Sequence, residues 1–196
     1  MRKAGKRGEE KTARVLARVC VPGGPTVLHS LRLPMPGVDA DIDHIVVAGR
    51  DLFIVDSKTW KPARYWTFAH TTRRGLERVP FADKHTSEMA VRALRSLFAA
   101  RQVDVVIHEP LVVVWSSNTS KAMKLGLYRP RGAHAIAGEV FEHRVGSLFR
   151  HSTADPAVVS ALYPLLGTAR GAQPSAFTVT RPPRPAARST FVADEF

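Results

Sequence analysis

An α/β fold, with helices flanking a sheet, is predicted for this 196-residue chain from three observations. Residues Ala4–Cys20 repeat apolar positions at helical spacing. The runs 41–47 and 52–58 alternate as paired strands do, and the β-branched run Leu111–Trp115 follows an amphipathic segment over Asp83–Arg101. Length and a 44% apolar share suffice for one core, so one domain is expected over 1–168 and a tail over 169–196.

The first helix ends before Val21-Pro22-Gly23-Gly24-Pro25, which no helix tolerates. At about 100° per residue, Glu9 shares a face with Ala13, Leu16 and Cys20, while Glu10 falls beside Arg14 one turn later as half of an exposed ion pair. A carboxylate beside the core-facing stripe is costly unless it is paired or coordinates something, so Glu9 needs a reason to be there.

Thr26–Leu33 is the first strand, closed by Pro34. In the hairpin that follows, Ala48-Gly49-Arg50-Asp51 forms the link. Pairing Val47 with Leu52 sets Ile45 opposite Ile54 and Asp43 opposite Asp56. Leu52, Ile54, Asp56 and Lys58 then share one face, apolar at one end and charged at the other. Two carboxylates so opposed repel each other unless a cation joins them, which suggests a divalent-metal site. An ordinary ion-pair cluster at a strand end is the alternative. His44, next to Asp43 in the strand, should point the other way as a satisfied core or edge histidine.

Trp60–Trp66 reads as a strand extension or a second short ribbon, followed by a polar connection through Arg73, Arg74 and Arg78. Trp60 and Trp66 are expected in a core or on its rim, with stacking on an unpaired base as the alternative. Met89, Leu94, Leu97 and Phe98 mark the helix over Asp83–Arg101. Val103–Ile107 and Leu111–Trp115 are β-branched runs, the second a buried strand. Ser116–Gly132 reads as a basic loop, Ala133–Ile136 as a short strand and Val140–Phe149 as a helix. A last helix opens with Asp155 as N-cap and Pro156 at its first position, and stops at Gly167. Beyond about Ala169, prolines mix with arginines and a disordered basic tail is expected.

Lys and Arg number 29 against 17 Asp and Glu, a balance of +12 that favours a polyanionic partner, nucleic acid above all. The single cysteine, Cys20, excludes an intrachain disulfide and a Cys-rich zinc site, and fits a reducing compartment. No apolar run reaches the roughly 18 residues of a membrane helix, so a cytoplasmic protein that does not engage membranes is expected. There is no His-Glu-x-x-His, no Gly-x-Ser-x-Gly, and Gly5-Lys6-Arg7-Gly8 lacks P-loop spacing.

Three pieces taken in order, Gly5-Lys6-Arg7-Gly8-Glu9, Asp43 within Asp41–Val47, and Asp56-Ser57-Lys58 after Leu52–Val55, resemble the NERD (nuclease-related) domain of the PD-(D/E)XK nuclease superfamily over roughly residues 5–115. The resemblance implies a restriction-endonuclease-like α/β sandwich, a central mixed β-sheet of four or five strands flanked by helices. It also implies roles: Asp43 and Asp56 as metal-binding acids, Lys58 as the catalytic lysine, Glu9 as the helix glutamate completing the site, and the Ser57 carbonyl as a further metal ligand. Asp56 stands where the family more often has glutamate, and Ile42 replaces the superfamily's proline. The family's polar motif opening the central helix is poorly matched at Phe81-Ala82-Asp83-Lys84-His85.

The implied activity is metal-dependent hydrolysis of nucleic-acid phosphodiesters, DNA in preference to RNA. Mg²⁺ would be the cofactor, with Mn²⁺ as a substitute. Lys6, Arg7, Lys61 and Arg64 flank the site and are the expected phosphate contacts. The rival expectation is a noncatalytic nucleic-acid-binding protein on the same fold.

Overall fold

The structure, a computed structural model, describes residues 2–35, 37, 38, 40–82, 86–149 and 152–166. The predicted tail, the stop at Gly167, and Asp83, Lys84 and His85 lie outside the described residues.

The elements run α1 (Arg2–Leu16), β1 (Thr26–Arg32), β2 (Asp41–Ala48), β3 (Asp51–Trp60), β4 (Arg64–Phe68), β5 (Thr71–Arg74), β6 (Glu77–Arg78) and α2 (Thr86–Ala100). They continue through β7 (Val106–Ile107), β8 (Leu111–Ser116), β9 (Lys124–Leu127), β10 (His134–Ala137), α3 (Gly138–Leu148) and α4 (Pro156–Leu162).

The main sheet has the order β1-β2-β3-β8-β10, with β7 also pairing β3. It is mixed because its connections differ. A two-residue link, Gly49-Arg50, joins β2 to β3, and Gly49 at φ +60° supplies the turn that makes them antiparallel. The path from β3 to β8 crosses over through α2 and makes that pair parallel. Six strands replace the four or five expected. The extra one is β7, two residues that periodicity is too short to reveal.

Period-2 alternation sends side chains to two separate cores. Leu28, Ile45, Leu52 and Ile54 pack against Leu94 and Phe98 of α2 and Val158 and Leu162 of α4. On the other face Val27, Val46, Val55, Val113 and Trp115 pack against Val15, Leu16 and Val19 at the end of the first helix and against Phe141 and Val145 of α3. Gly138 opens α3 at a point where a Cβ would lie 2.2 Å from the Trp115 ring, so only glycine lets the helix approach β8 this closely. Asp155 caps α4 as expected, its carboxylate accepting from Ala157 N at 2.8 Å.

The segment from Arg64 to Arg78, predicted mostly as a connection, instead forms a second sheet of order β6-β5-β4-β9. Its β4–β5 turn places Ala69 and His70 at φ +44° and +60°, a conformation usually signalled by Asn-Gly, and that signal is absent here. The predicted loop Ser116–Gly132 likewise contains β9, paired parallel with β4. Trp60, Tyr65, Leu125 and Tyr128 form the core beneath this sheet, so Trp60 has the core role expected of it.

Candidate active site

The pairs Val47↔Leu52 and Ile45↔Ile54 are those expected from the hairpin, but the ladder ends at His44↔Val55. One residue further on, Asp43 Oδ2 accepts the Ser57 backbone N–H at 2.7 Å, a side chain standing where a backbone carbonyl would continue the sheet. On its other side β2 is irregular as well. Its register with β1 is the same at His29↔His44 and at Leu31↔Ile42, but the pair between them is skipped, and Ser30, on β1 opposite Asp43, has φ +55°. Asp43 thus sits where β2 parts from β3 and where its pairing with β1 skips one residue, and its carboxylate turns toward β3.

On β3, Lys58 Nζ donates to Asp56 Oδ1 at 2.6 Å, and both side chains are partly exposed. The expected Asp43↔Asp56 pair is not part of the ladder, yet the structure brings the charged groups near one another: Asp43, Asp56 and Lys58 interact electrostatically. Burial, and then the Asp56 charge, push the Asp43 carboxyl up to about 7. Burial works to lower the Lys58 pKa, and Asp56, with Asp43 and Glu9, more than offsets it, so the ammonium is held above its ordinary value.

Glu9 arrives from the helix on the opposite face of the sheet. Gly8 makes this approach possible, because a Cβ there would lie 2.6 Å from Thr59 Oγ1, against β3 itself. Burial raises the Glu9 pKa, with Lys58 opposing and Asp56 adding to the rise. Glu9 is nonetheless an electrostatic neighbour of the cluster. Among the described residues, no three His, Cys, Asp or Glu side chains close on one another as a ready metal cage. The neighbouring Glu10 meets Arg14 through its backbone carbonyl, at 3.4 Å from Nε, in place of the predicted carboxylate pair.

The donor set fits a hard divalent cation all the same. Mg²⁺ typically takes one or two carboxylates and keeps water in its other positions. Asp43 keeps Oδ1 and Asp56 keeps Oδ2 clear of the bonds just described, and one ammonium faces three carboxylates. Lys6 and Arg7, at the start of the first helix, and Lys61 and Arg64, just after β3, are exposed, and Lys6 lies near enough to act on Glu9.

Beneath this cluster runs a buried hydrogen-bond chain that sequence reasoning missed. Trp115 Nε1–H donates to Thr12 Oγ1 at 2.9 Å, and Thr12 Oγ1–H donates to the Gly8 carbonyl at 3.1 Å. Ser57 Oγ–H must then donate to Thr12, at 2.8 Å, which leaves Ser57 to accept from His44 Nε2–H at 3.1 Å. With the ring neutral, as burial favours, His44 Nδ1 is an acceptor, and His29 Nδ1–H donates to it at 2.7 Å. A donor-only indole and an acceptor-only carbonyl thus fix the protons from Trp115 to His44 Nε2. Burial, with His29 adding, holds the His44 pKa down to about 3, which keeps the ring neutral and its Nδ1 an acceptor.

The chain ties the helix turn bearing Glu9 to Ser57, between Asp56 and Lys58. The available signal was a threonine on the buried stripe formed by Gly8, Thr12, Val15 and Val19. Thr12→Val keeps the shape but leaves the Trp115 and Ser57 donors unpaired, and should lower unfolding free energy by about 1–3 kcal/mol. Urea denaturation checks this, and an unchanged midpoint would contradict the chain.

A mixed sheet clad by helices, with two acids and a lysine at the splayed end of a central hairpin, is the architecture of a nuclease-related α/β protein. The chain belongs to the nuclease-related domain (NERD) family, which it matches over residues 4–115. No curated protein and no solved structure matches it. Family membership implies a nucleic-acid substrate. Among the described residues no helix is long and apolar enough to cross a membrane.

Proposed function

We propose that this chain is a Mg²⁺-dependent nuclease hydrolysing phosphodiester bonds of DNA, with Mn²⁺ able to substitute. The observation that carries this reading is the meeting of Asp43, Asp56 and Lys58 where β2 and β3 part, a partly exposed site short of positive charge.

Asp43, Asp56 and the Ser57 carbonyl would hold the metal, with Glu9 acting on it through water. When bound, the ion lowers the pKa of a coordinated water and neutralises phosphate oxygens. Lys58 supplies what the carboxylates cannot. Its ammonium, kept charged by Asp56, orients the attacking water and stabilises the negative charge that develops on the phosphate oxygens. The raised pKa makes Lys58 a donor and argues against its serving as the general base. Lys6, Arg7, Lys61 and Arg64 contact flanking phosphates and set the salt dependence of binding.

Cleavage of plasmid or oligonucleotide DNA is expected only with added Mg²⁺ or Mn²⁺, and is expected to disappear in a folded Asp56→Ala protein. Metal-independent cleavage, or cleavage surviving that substitution, would rule this site out. Salt-sensitive DNA binding without metal-dependent turnover would support the noncatalytic alternative.

A further inference from the structure

The small sheet has an inner face that packs on a core and an outer face with a different composition. Tyr65, Thr72 and Leu125 point inward and are buried. Along β4, alternation puts Arg64, Trp66 and Phe68 on the other side, and cross-strand pairing adds their neighbours: Trp66 is opposite Arg73, Arg73 opposite Arg78, and Arg64 opposite Lys124. Four cations therefore share a face with two aromatic rings. The nearest acid on these strands, Glu77, pairs with Arg74 on the inner side.

Two features of this face call for a partner. Arg73 and Arg78 are directly opposed like charges, an arrangement that weakens a strand pair unless an anion lies over it. Among the described residues Arg78 has no acidic partner within 4 Å, and Arg73 spends one N–H on the Leu76 carbonyl while its guanidinium lies 5.8 Å from the centre of the Trp66 ring. Phe68 is 71% exposed and Leu127, opposite Trp66, is 62% exposed, so the charged rows border an uncovered apolar surface.

We propose that this outer face binds single-stranded nucleic acid, with Phe68 as a base-stacking platform and Arg64, Arg73, Arg78 and Lys124 as phosphate contacts. A duplex presents phosphates but hides the faces of its bases, so it would leave Phe68 unused. Unpaired bases stack on aromatic rings while their backbone follows a basic groove. A second copy of the chain is disfavoured as occupant, because a self-complementary contact would set these cations against their own kind. Arg64, at the near end of this face, lies six positions after Lys58, at most about 22 Å of chain, so one bound strand can reach from this face toward the acid cluster. The proposal rests on the nuclease reading for its purpose and gives that reading a preferred substrate form.

The test is fluorescence anisotropy with labelled single-stranded and duplex DNA of equal length, in EDTA, on the full chain and on its Asp56→Ala form. Tighter binding of the single strand is expected in both proteins. Phe68→Ala should weaken single-strand binding roughly 5- to 100-fold and leave duplex binding unchanged. A double substitution, Arg73→Gln with Arg78→Gln, should weaken both and reduce the salt slope by about 1 to 2. Phe68, Arg73 and Arg78 all lie on the outer face, and circular dichroism verifies folding of each variant. Unchanged single-strand affinity in both variants would overturn the proposal, as would Phe68-dependent self-association without any effect on binding. If cleavage proves absent while these binding losses appear, the nuclease reading fails alone. If Asp56-dependent cleavage is present and the losses are not, the platform fails alone.

Discussion

Lys58→Met should reduce DNA cleavage by about 10² to 10⁴-fold, with most of the loss in kcat. Methionine keeps the apolar length of the stem, which lies in a partly buried site, and removes only the ammonium. That ammonium is the cation in direct contact with the acid cluster, at 2.6 Å from Asp56 Oδ1. Because it acts on charge that appears only as the phosphate is attacked, its loss should raise the barrier more than it weakens binding. Lys61→Ala, on an exposed residue outside the cluster, should do the reverse and change mainly KM and salt dependence. Steady-state kinetics at several salt concentrations separates the two effects. Cleavage by Lys58→Met within tenfold of the parent would remove lysine from the mechanism.

Asp43→Asn should make the metal-free protein more stable at neutral pH and abolish its stabilisation by Mg²⁺. In the unfolded chain Asp43 ionises near its ordinary 3.8, whereas in the folded chain burial and Asp56 delay ionisation to about 7. Unfolding therefore releases a proton between these values. Metal-free stability falls as pH rises through that window, by on the order of a few kcal/mol. His44 works in the opposite sense. Its folded pKa of about 3 lies below the ordinary 6.5, so its contribution is lost as pH falls through that interval. The two slopes oppose each other where they overlap, so the parent profile alone is not diagnostic. The difference between parent and Asp43→Asn isolates the carboxylate, since asparagine can still accept the Ser57 N–H.

That difference should be near zero at about pH 4 and largest above about pH 7. Mg²⁺ needs the ionised acid, so its stabilisation of the parent should grow over the same rise in pH and be absent from the variant. Thermal unfolding with EDTA and with Mg²⁺ across pH checks both statements. Equal stability of parent and variant at every pH, or a Mg²⁺ shift that survives in the variant, would contradict the assignment.

The hairpin bearing these acids was legible because its signals are local. Gly49 marks a two-residue turn, period-2 alternation identifies the buried side chains, and together they set Val47 against Leu52. Asp155-Pro156 is equally local, a cap that needs no tertiary help. The small sheet was illegible for the converse reason. Its turn uses Ala69 and His70 in conformations that neither residue favours, so contacts with the rest of the fold must select them. Its partner strand β9 is four residues with a glycine inside, too short to show a period.

The candidate site divides along the same line. Sequence by itself determined that Asp43, Asp56 and Lys58 share a strand face and that Glu9 lies toward the buried side of the first helix, because strand and helix periods act over a few residues. Tertiary structure alone decided that the helix descends onto β3 at Gly8, that Asp43 replaces a ladder carbonyl at Ser57, and that Glu9 acts on the cluster without joining a closed cage. It also decided the chain from Trp115 through Thr12 and Ser57 to the two histidines, whose members lie up to 103 residues apart. Such contacts depend on burial and on the pairing of buried donors with acceptors, and no periodicity in the chain encodes which distant partners will meet.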